Sequence, residues 1–221
     1  METDCTRPKF FIRKAHKVQS DLAKSIVFED KLQDTRLIAG IDIAYTKELS
    51  IGAVAVLEYD SLELVELQTA VTRTRFPYVP TLLSFRELPP AVQSVRKLRS
   101  QPSIFLVDGQ GFAHPYGCGF ASHLGLVIQK PTIGVAKSRL CGKIGEAREG
   151  MAFLYYQNRI VGAAVTTKKN QNPVYVSVGH MVSLETAIRI VKHCTVRSRV
   201  PEPILRAHAI AAAEKRKINM T

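Results

Sequence analysis

The stretch from Ile104 to His114, IFLVDGQGFAH, limits the fold more than any other: four apolar residues run into Asp108, and a loop with Gly109 and Gly111 comes next. An unbroken apolar run of this kind reads as a strand covered on both faces, which requires a sheet with a layer on each side. The glycines let backbone and ligand approach closely where the carboxylate emerges. An acid in that position is suited to holding a metal or moving protons. Asp-Gly is also a common turn pair, so the other acids of the chain have to decide between the two readings.

With 221 residues, 46% of them hydrophobic, the chain fits one sizeable domain that needs no metal or disulfide to complete its core. Lys9 to Asp30 carries Phe10, Phe11, Ala15, Val18, Leu22 and Ile26 at helical spacing with basic residues between, which predicts an amphipathic opening helix. From Arg36 the period shortens. LIAGIDIAY, SIGAVAVLEY and SLELVELQTAVTRT read as three strands of an antiparallel meander, the last two joined by a Tyr59-Asp60-Ser61 turn. Pro77, Pro80, Pro89 and Pro90 punctuate the next segment, predicting a short helix from Thr81 to about Glu87 and a second from near Pro90 to Leu98. Beyond Asp108 the pattern predicts a helix over Gly119 to Gln129, then strands at PTIGVAK, MAFLYYQ, RIVGAAVTT and PVYVSVG. Two helices close the chain, Leu184 to His193 capped by Ser183, and a last one from Pro203 past Ala213 before a charged, frayed tail. No repeat, low-complexity tract or linker divides residues 1–221, and the order of elements predicts an α/β fold, a mixed sheet with helices on its faces.

Lys and Arg total 31 against 19 Asp and Glu, a formal charge of +12 with a pI near 9.7. Such a balance calls for a polyanionic partner, nucleic acid first and an acidic membrane surface second. No apolar segment approaches the roughly 20 residues needed to cross a bilayer, and METDCTRPKF lacks a signal peptide's hydrophobic core. The expectation is a cytoplasmic, monomeric protein with no membrane partner. Cys5, Cys118, Cys141 and Cys194 form no C-x-x-C pair, so free thiols are expected in place of a zinc site or disulfide framework.

Asp42 lies within a strand between Ile41 and Ile43, and alternation aims it away from both. An ionised buried carboxylate without partners costs several kcal/mol or shifts its pKa, and a bound divalent cation removes that cost. Glu87, after Arg86 in SFRE, would alone be an ordinary surface acid. His208, in LRAHAIAAAEK, would alone be a satisfied helical histidine, although the alanines beside it allow close packing on the sheet. Taken together, an Asp on the first strand, a Glu on a following helix, an Asp ending the fourth strand and a late-helix ligand resemble the site of ribonuclease-H-like nucleases. Oxygen ligands suit Mg²⁺ or Mn²⁺. One or two such ions activate water, polarise a phosphate and stabilise a leaving oxygen, and a pair would sit about 4 Å apart.

Three longer motifs, RFPYVPTLLSFRE (75–87), VDGQGFAHPYGCGFASHLG (107–125) and GVAKSRL (134–140), resemble the endonuclease V family of inosine-directed nucleases. The resemblance runs from about Leu37 to His208. It implies a ribonuclease-H-like mixed β-sheet flanked by helices on both faces. The implied reaction is Mg²⁺-dependent hydrolysis, with Mn²⁺ able to substitute, of the second phosphodiester bond 3′ to a deaminated adenine in DNA, leaving 3′-hydroxyl and 5′-phosphate ends. The metal-binding and catalytic set then falls on Asp42, Glu87, Asp108 and His208, and Lys137 matches the active-site lysine. That lysine either offsets charge developing on the scissile phosphate or is a plain phosphate contact. His114 either positions water or phosphate or makes a structural hydrogen bond. Pro77, Tyr78, Val79 and Pro80 match a wedge in which Tyr78 stacks into the gap left by an extruded base, recovering part of an unstacking cost of a few kcal/mol. The extruded base is expected beside Leu83, Gly109 and Gly111, with exposed backbone groups reading the hypoxanthine edge. Thr81 stands where the family commonly has glycine, and Tyr116 where it usually has arginine. Lys168, Lys169, Arg197 and Arg199 are candidate backbone contacts. Two alternatives remain, an inosine-specific endoribonuclease on single-stranded RNA and a non-catalytic nucleic-acid-binding protein on the same fold.

Overall fold

The protein is described by a computed structural model covering residues 6–32 and 34–220. Its centre is a nine-stranded sheet in the order β3-β2-β1-β4-β5-β9-β8-β7-β6. The strands are β1 (Leu37–Tyr45), β2 (Leu49–Glu58), β3 (Leu64–Arg73), β4 (Ile104–Asp108), β5 (Thr132–Ala136), β6 (Lys143–Ile144), β7 (Met151–Tyr156), β8 (Arg159–Val165) and β9 (Val174–His180). The helices are α1 (Thr6–Ala23), α2 (Leu83–Arg96), α3 (Phe120–Ile128), α4 (Leu184–His193) and α5 (Glu202–Met220). β1 to β3 form the expected antiparallel meander, β1, β4 and β5 run parallel, and the remaining strands extend the sheet antiparallel from β9. The two-residue β6 is not expected from the sequence, since it has no apolar alternation of its own and exists by pairing with β7.

Both faces of the sheet are covered. Ala39 and Ile41 of β1 and Phe105 and Val107 of β4 pack with Ala91 of α2 and Leu124 of α3. The alternate residues, Ile38, Ile104 and Leu106, join Ile190 of α4 and Ile204 of α5 on the other face. The side-chain period of two therefore sends Asp42 and Asp108 toward the α5 side, and because Ile41 pairs with Val107 the two acids end up on neighbouring strands.

Gly40 sets how α5 crosses the sheet: a β-carbon there would lie 2.0 Å from the Pro203 backbone. From that crossing Asp42 is about 6.6 Å along its strand, and His208 about 7.5 Å along its helix. The contact at Gly40 thus brings the two side chains level.

Several elements differ from the sequence expectation. α1 stops at Ala23, and its inward face is Ala15 and Gln19, while Phe11 and Val18 are exposed. The side chain of Phe10 lies outside the described residues. The two helices expected around Pro89 and Pro90 are one, α2, with both prolines inside it. Interior prolines cost a helix about 3 kcal/mol, but Pro90 and Ala91 are buried against β2, and that packing carries the helix through. The charged tail is not frayed: α5 continues to Met220. Ser183 caps α4 as expected, accepting from Thr186 N. Cys118, Cys141 and Cys194 are free thiols, and Cys5 lies outside the described residues. No helix among the described residues is long and apolar enough to cross a membrane.

Candidate active site

The acids gather where β1 and β4 end and α2 begins. Asp42 is buried, with Ile43 N donating to Oδ1 at 2.8 Å and His208 Nδ1 lying 2.7 Å from Oδ2. Burial raises its pKa and the neighbouring Asp108 charge adds to the rise, while the His208 and Ile43 contacts offset part of it. Glu87, one turn into α2, is also buried rather than on the surface, and Tyr45 Oη donates to its Oε1 at 2.9 Å. Burial and the charges of Asp42 and Asp108 push Glu87 up to about 8, against the opposing hydrogen bond from Tyr45. Lys137 comes directly after β5 and sits 2.5 Å from Asp108 Oδ2.

Tyr45 is not among the residues singled out from the sequence, although strand parity could have found it. It shares the face of Ile41 and Ile43, the α2 side, and so meets Glu87 from above while Asp42 faces α5. The guanidinium of Arg86 lies over its ring, 4.3 Å from the centroid.

A pocket of about 370 Å³ joins two of these acids to the PYVP loop: its walls include Tyr78, Leu83, Glu87, Asp108, Gly109 and Lys137, whereas Asp42 and His208 do not line it. Val79, Pro80 and His114 also line it, whereas Pro77 does not. Tyr78 is 70% exposed, a free aromatic ring at the mouth of the pocket. Gly109 suits the wall because a β-carbon there would sit 3.3 Å from the Phe120 ring and fill space the pocket needs.

Gly111 does not line the pocket. It is buried beneath the loop, where a β-carbon would fall 2.2 Å from Val178 O. Its N–H donates to Ser177 Oγ and its carbonyl accepts from Gly119 N, both at 2.9 Å, so neither group is available to a base edge. Close backbone packing, not base recognition, accounts for this glycine.

Thr81 explains why glycine suits the position after the second proline: its φ is +71°, a left-handed conformation that costs a β-branched residue strain. Three side chains hold it there. Gln19 Nε2 donates to Thr81 O at 2.8 Å, His114 Nε2 lies 2.9 Å from the same oxygen, and His16 Nε2 lies 2.8 Å from Oγ1. His114 Nδ1 accepts from Tyr116 N at 3.2 Å, which leaves Nε2 as the donor to Thr81. The structural role of His114 is therefore the one its contacts support, and burial lowers its pKa to about 4. Tyr116, in place of the expected arginine, stacks on His16 with centroids 3.9 Å apart. Gln19 and His16 carry no sequence signal, since a polar residue on a basic helix reads as solvated.

Of the expected basic contacts, none lines the pocket. Arg197 is paired with Glu202, and Arg199 donates to Pro173 O at 2.9 Å.

Among the described residues no three of His, Cys, Asp and Glu converge closely enough to enclose an ion. Asp108 is turned to Lys137, Asp42 to His208 and Glu87 to Tyr45. The donor set nevertheless fits a hard cation. Glu87 Oε2 is buried with no hydrogen-bond partner, and two of the acids resist ionisation partly because of their neighbours' charge. A cation bound by oxygen would relieve both penalties.

Carboxylates from two strands and a helix, with a lysine beside one of them, thus stand on a ribonuclease-H-like mixed sheet covered on both faces. The endonuclease V family profile matches residues 20–209. An endonuclease V from Thermofilum pendens is 43% identical over 209 residues, covering 94% of this chain and 90% of that one. The crystal structure of the Streptomyces avermitilis endonuclease V superposes with a TM-score of 0.87 at 34% identity, covering 94% of each chain. A Ciona intestinalis endonuclease V, in complex with a 24mer DNA containing an inosine followed by a ribo-adenosine, gives 0.86 at 32% identity, covering 95% of this chain and 99% of that one. The chain belongs to the endonuclease V family and is an endonuclease.

Proposed function

We propose that the protein hydrolyses the second phosphodiester bond 3′ to a deoxyinosine in DNA, using Mg²⁺ or Mn²⁺ and leaving 3′-hydroxyl and 5′-phosphate ends. One observation carries this reading: a single pocket has an exposed aromatic wedge, Tyr78, at its mouth and Glu87, Asp108 and Lys137 in its wall. A base lifted from the stack can enter the pocket while the strand's phosphates lie against the acids. Tyr78 fills the gap it leaves, and Leu83 and Gly109 flank the base. Asp42, Glu87 and Asp108, with His208, would hold the cation, which supplies an activated water and charge neutralisation at the phosphate. The ammonium of Lys137 lies beside Asp108, where it can offset charge on the phosphate oxygens. Tyr45 and His208 orient the carboxylates of Glu87 and Asp42.

The test is a labelled duplex with one inosine, incubated with Mg²⁺ or with chelator, and its cut position mapped. The expected result is a metal-dependent nick one phosphodiester beyond the lesion's own 3′ bond, absent in Asp42→Ala and Asp108→Ala. An unchanged rate in both variants sinks the reading. Tyr78→Ala should reduce discrimination for inosine over plain DNA more than it reduces metal binding.

A second reading, an inosine-specific endoribonuclease, is favoured by the relative bound to an inosine followed by a ribonucleotide. Matched DNA and RNA strands carrying one inosine each separate the two by relative cleavage rate.

A further inference from the structure

Beside the active-site pocket, on the other side of α2, lies a second cleft of about 400 Å³ between α2 and the end of β3. Thr72, Arg73, Arg75, Phe85, Arg86 and Gln93 are among its lining residues, and among the described residues no acidic side chain lines it. Two buried polar atoms of that lining, Thr72 Oγ1 and Arg86 Nε, have no hydrogen-bond partner. A buried donor left unpaired costs about 1–3 kcal/mol, so two in one cleft point to a ligand that accepts. Arg86 is held in place over the Tyr45 ring, and the guanidiniums of Arg73 and Arg75 belong to exposed residues at the rim. Unpaired donors in the wall, positive charge at the rim and no described carboxylate are the chemistry that binds a phosphate oxyanion.

The chain's path identifies the phosphate. Arg75 comes two residues before the wedge begins at Pro77, and Arg86 directly precedes Glu87. Leu83, Ser84 and Glu87 face the pocket while Phe85, Arg86 and Pro89 face the cleft, so the two sites share the first two turns of α2. A strand passing the wedge is positioned to meet both. We propose that this cleft is a phosphate subsite, taking one backbone phosphate of the nucleic-acid strand whose neighbouring segment lies in the active-site pocket. The inference rests on the nucleic-acid reading of that pocket.

The test uses the full chain carrying Asp108→Asn to block turnover, and fluorescein-labelled duplexes with and without one inosine, titrated at several salt concentrations. Arg73→Ala with Arg75→Ala should weaken binding to both duplexes roughly tenfold and lower the slope of log K against log salt by about 1. Replacing both arginines by lysine should restore the slope. Duplexes with a single neutral methylphosphonate at successive positions localise the contact: one position should weaken the parent and leave the double-alanine variant unaffected. Thr72→Val, a near-isosteric change, should weaken binding at that same position and serves if the double variant fails to fold. An unchanged slope, or methylphosphonate profiles identical in parent and variants, overturns the subsite. If the protein with Asp108 intact does not nick inosine DNA while the profile still shifts, the inosine reading fails and the subsite stands.

Discussion

At Thr81 the left-handed backbone has to be held by its neighbours, and two of the three, Gln19 and His16, are 62 and 65 residues away on α1. The departure from glycine is visible in the sequence, but its compensation is not, because Gln19 and His16 acquire their roles only when α1 docks beside the loop. Gln19 is wholly buried and also donates to Cys118 O at 3.0 Å. Gln19→Leu removes both donations and leaves Cys118 O bare, which should cost about 2 kcal/mol and lower Tm by roughly 4–8 °C. Discrimination for inosine should fall with it, because the end of the wedge loop is released. A Tm within a degree of wild type in a thermal melt would remove Gln19 from this role. Tyr45 is the corresponding case among the acids. Its hydroxyl is the hydrogen-bond partner of Glu87, so Tyr45→Phe should weaken metal affinity or activity by about 10- to 100-fold. A Mg²⁺ titration of nicking rate checks this, with little change in substrate KM expected.

Strands are more legible than helices in this chain, for a physical reason. β1, β2 and β4 are buried on both faces and end in turns or glycines, so composition and length both mark them. The carboxylates at their ends can be found because parity and strand position are properties of the local chain. Local pattern divides α2 in two because Pro89 and Pro90 remove two donors, and nothing local reveals that Pro90 and Ala91 pack on β2. Gly111 is misread from the sequence for a similar reason, since its requirement comes from Val178 on another strand. The two prolines also have a measurable consequence. Pro89 is exposed, so Pro89→Ala sacrifices little packing, restores a donor for the preceding turn, and should stabilise the protein by about 1 kcal/mol, or 2–4 °C in Tm. An equal or lower Tm would mean that the prolines fit this helix without strain.

Across the whole molecule, the positive charge that points to nucleic acid coexists with histidines kept neutral inside it. His114, under the wedge loop, and His123, on α3 beside Ser84, both have pKa values lowered by burial from 6.5 to about 4. In the unfolded chain each takes up a proton near 6.5, whereas in the fold it does so only near 4. Between those values the unfolded state binds more protons, so each histidine makes stability fall as pH drops, by roughly 3 kcal/mol apiece at most. Glu87 acts in the opposite direction. Its raised pKa means the fold holds a proton that the unfolded chain has already lost, so stability falls as pH rises toward 8. The total pH profile therefore mixes opposing slopes and does not isolate either. The difference between wild type and a single variant does. His123→Gln cannot take up a proton, so urea denaturation at pH 7, 5.5 and 4 should show the wild type's advantage over the variant shrinking steadily as pH falls. A constant difference across that range would mean that His123 is protonated in the fold as readily as in the open chain, and that burial on α3 exerts no hold on it.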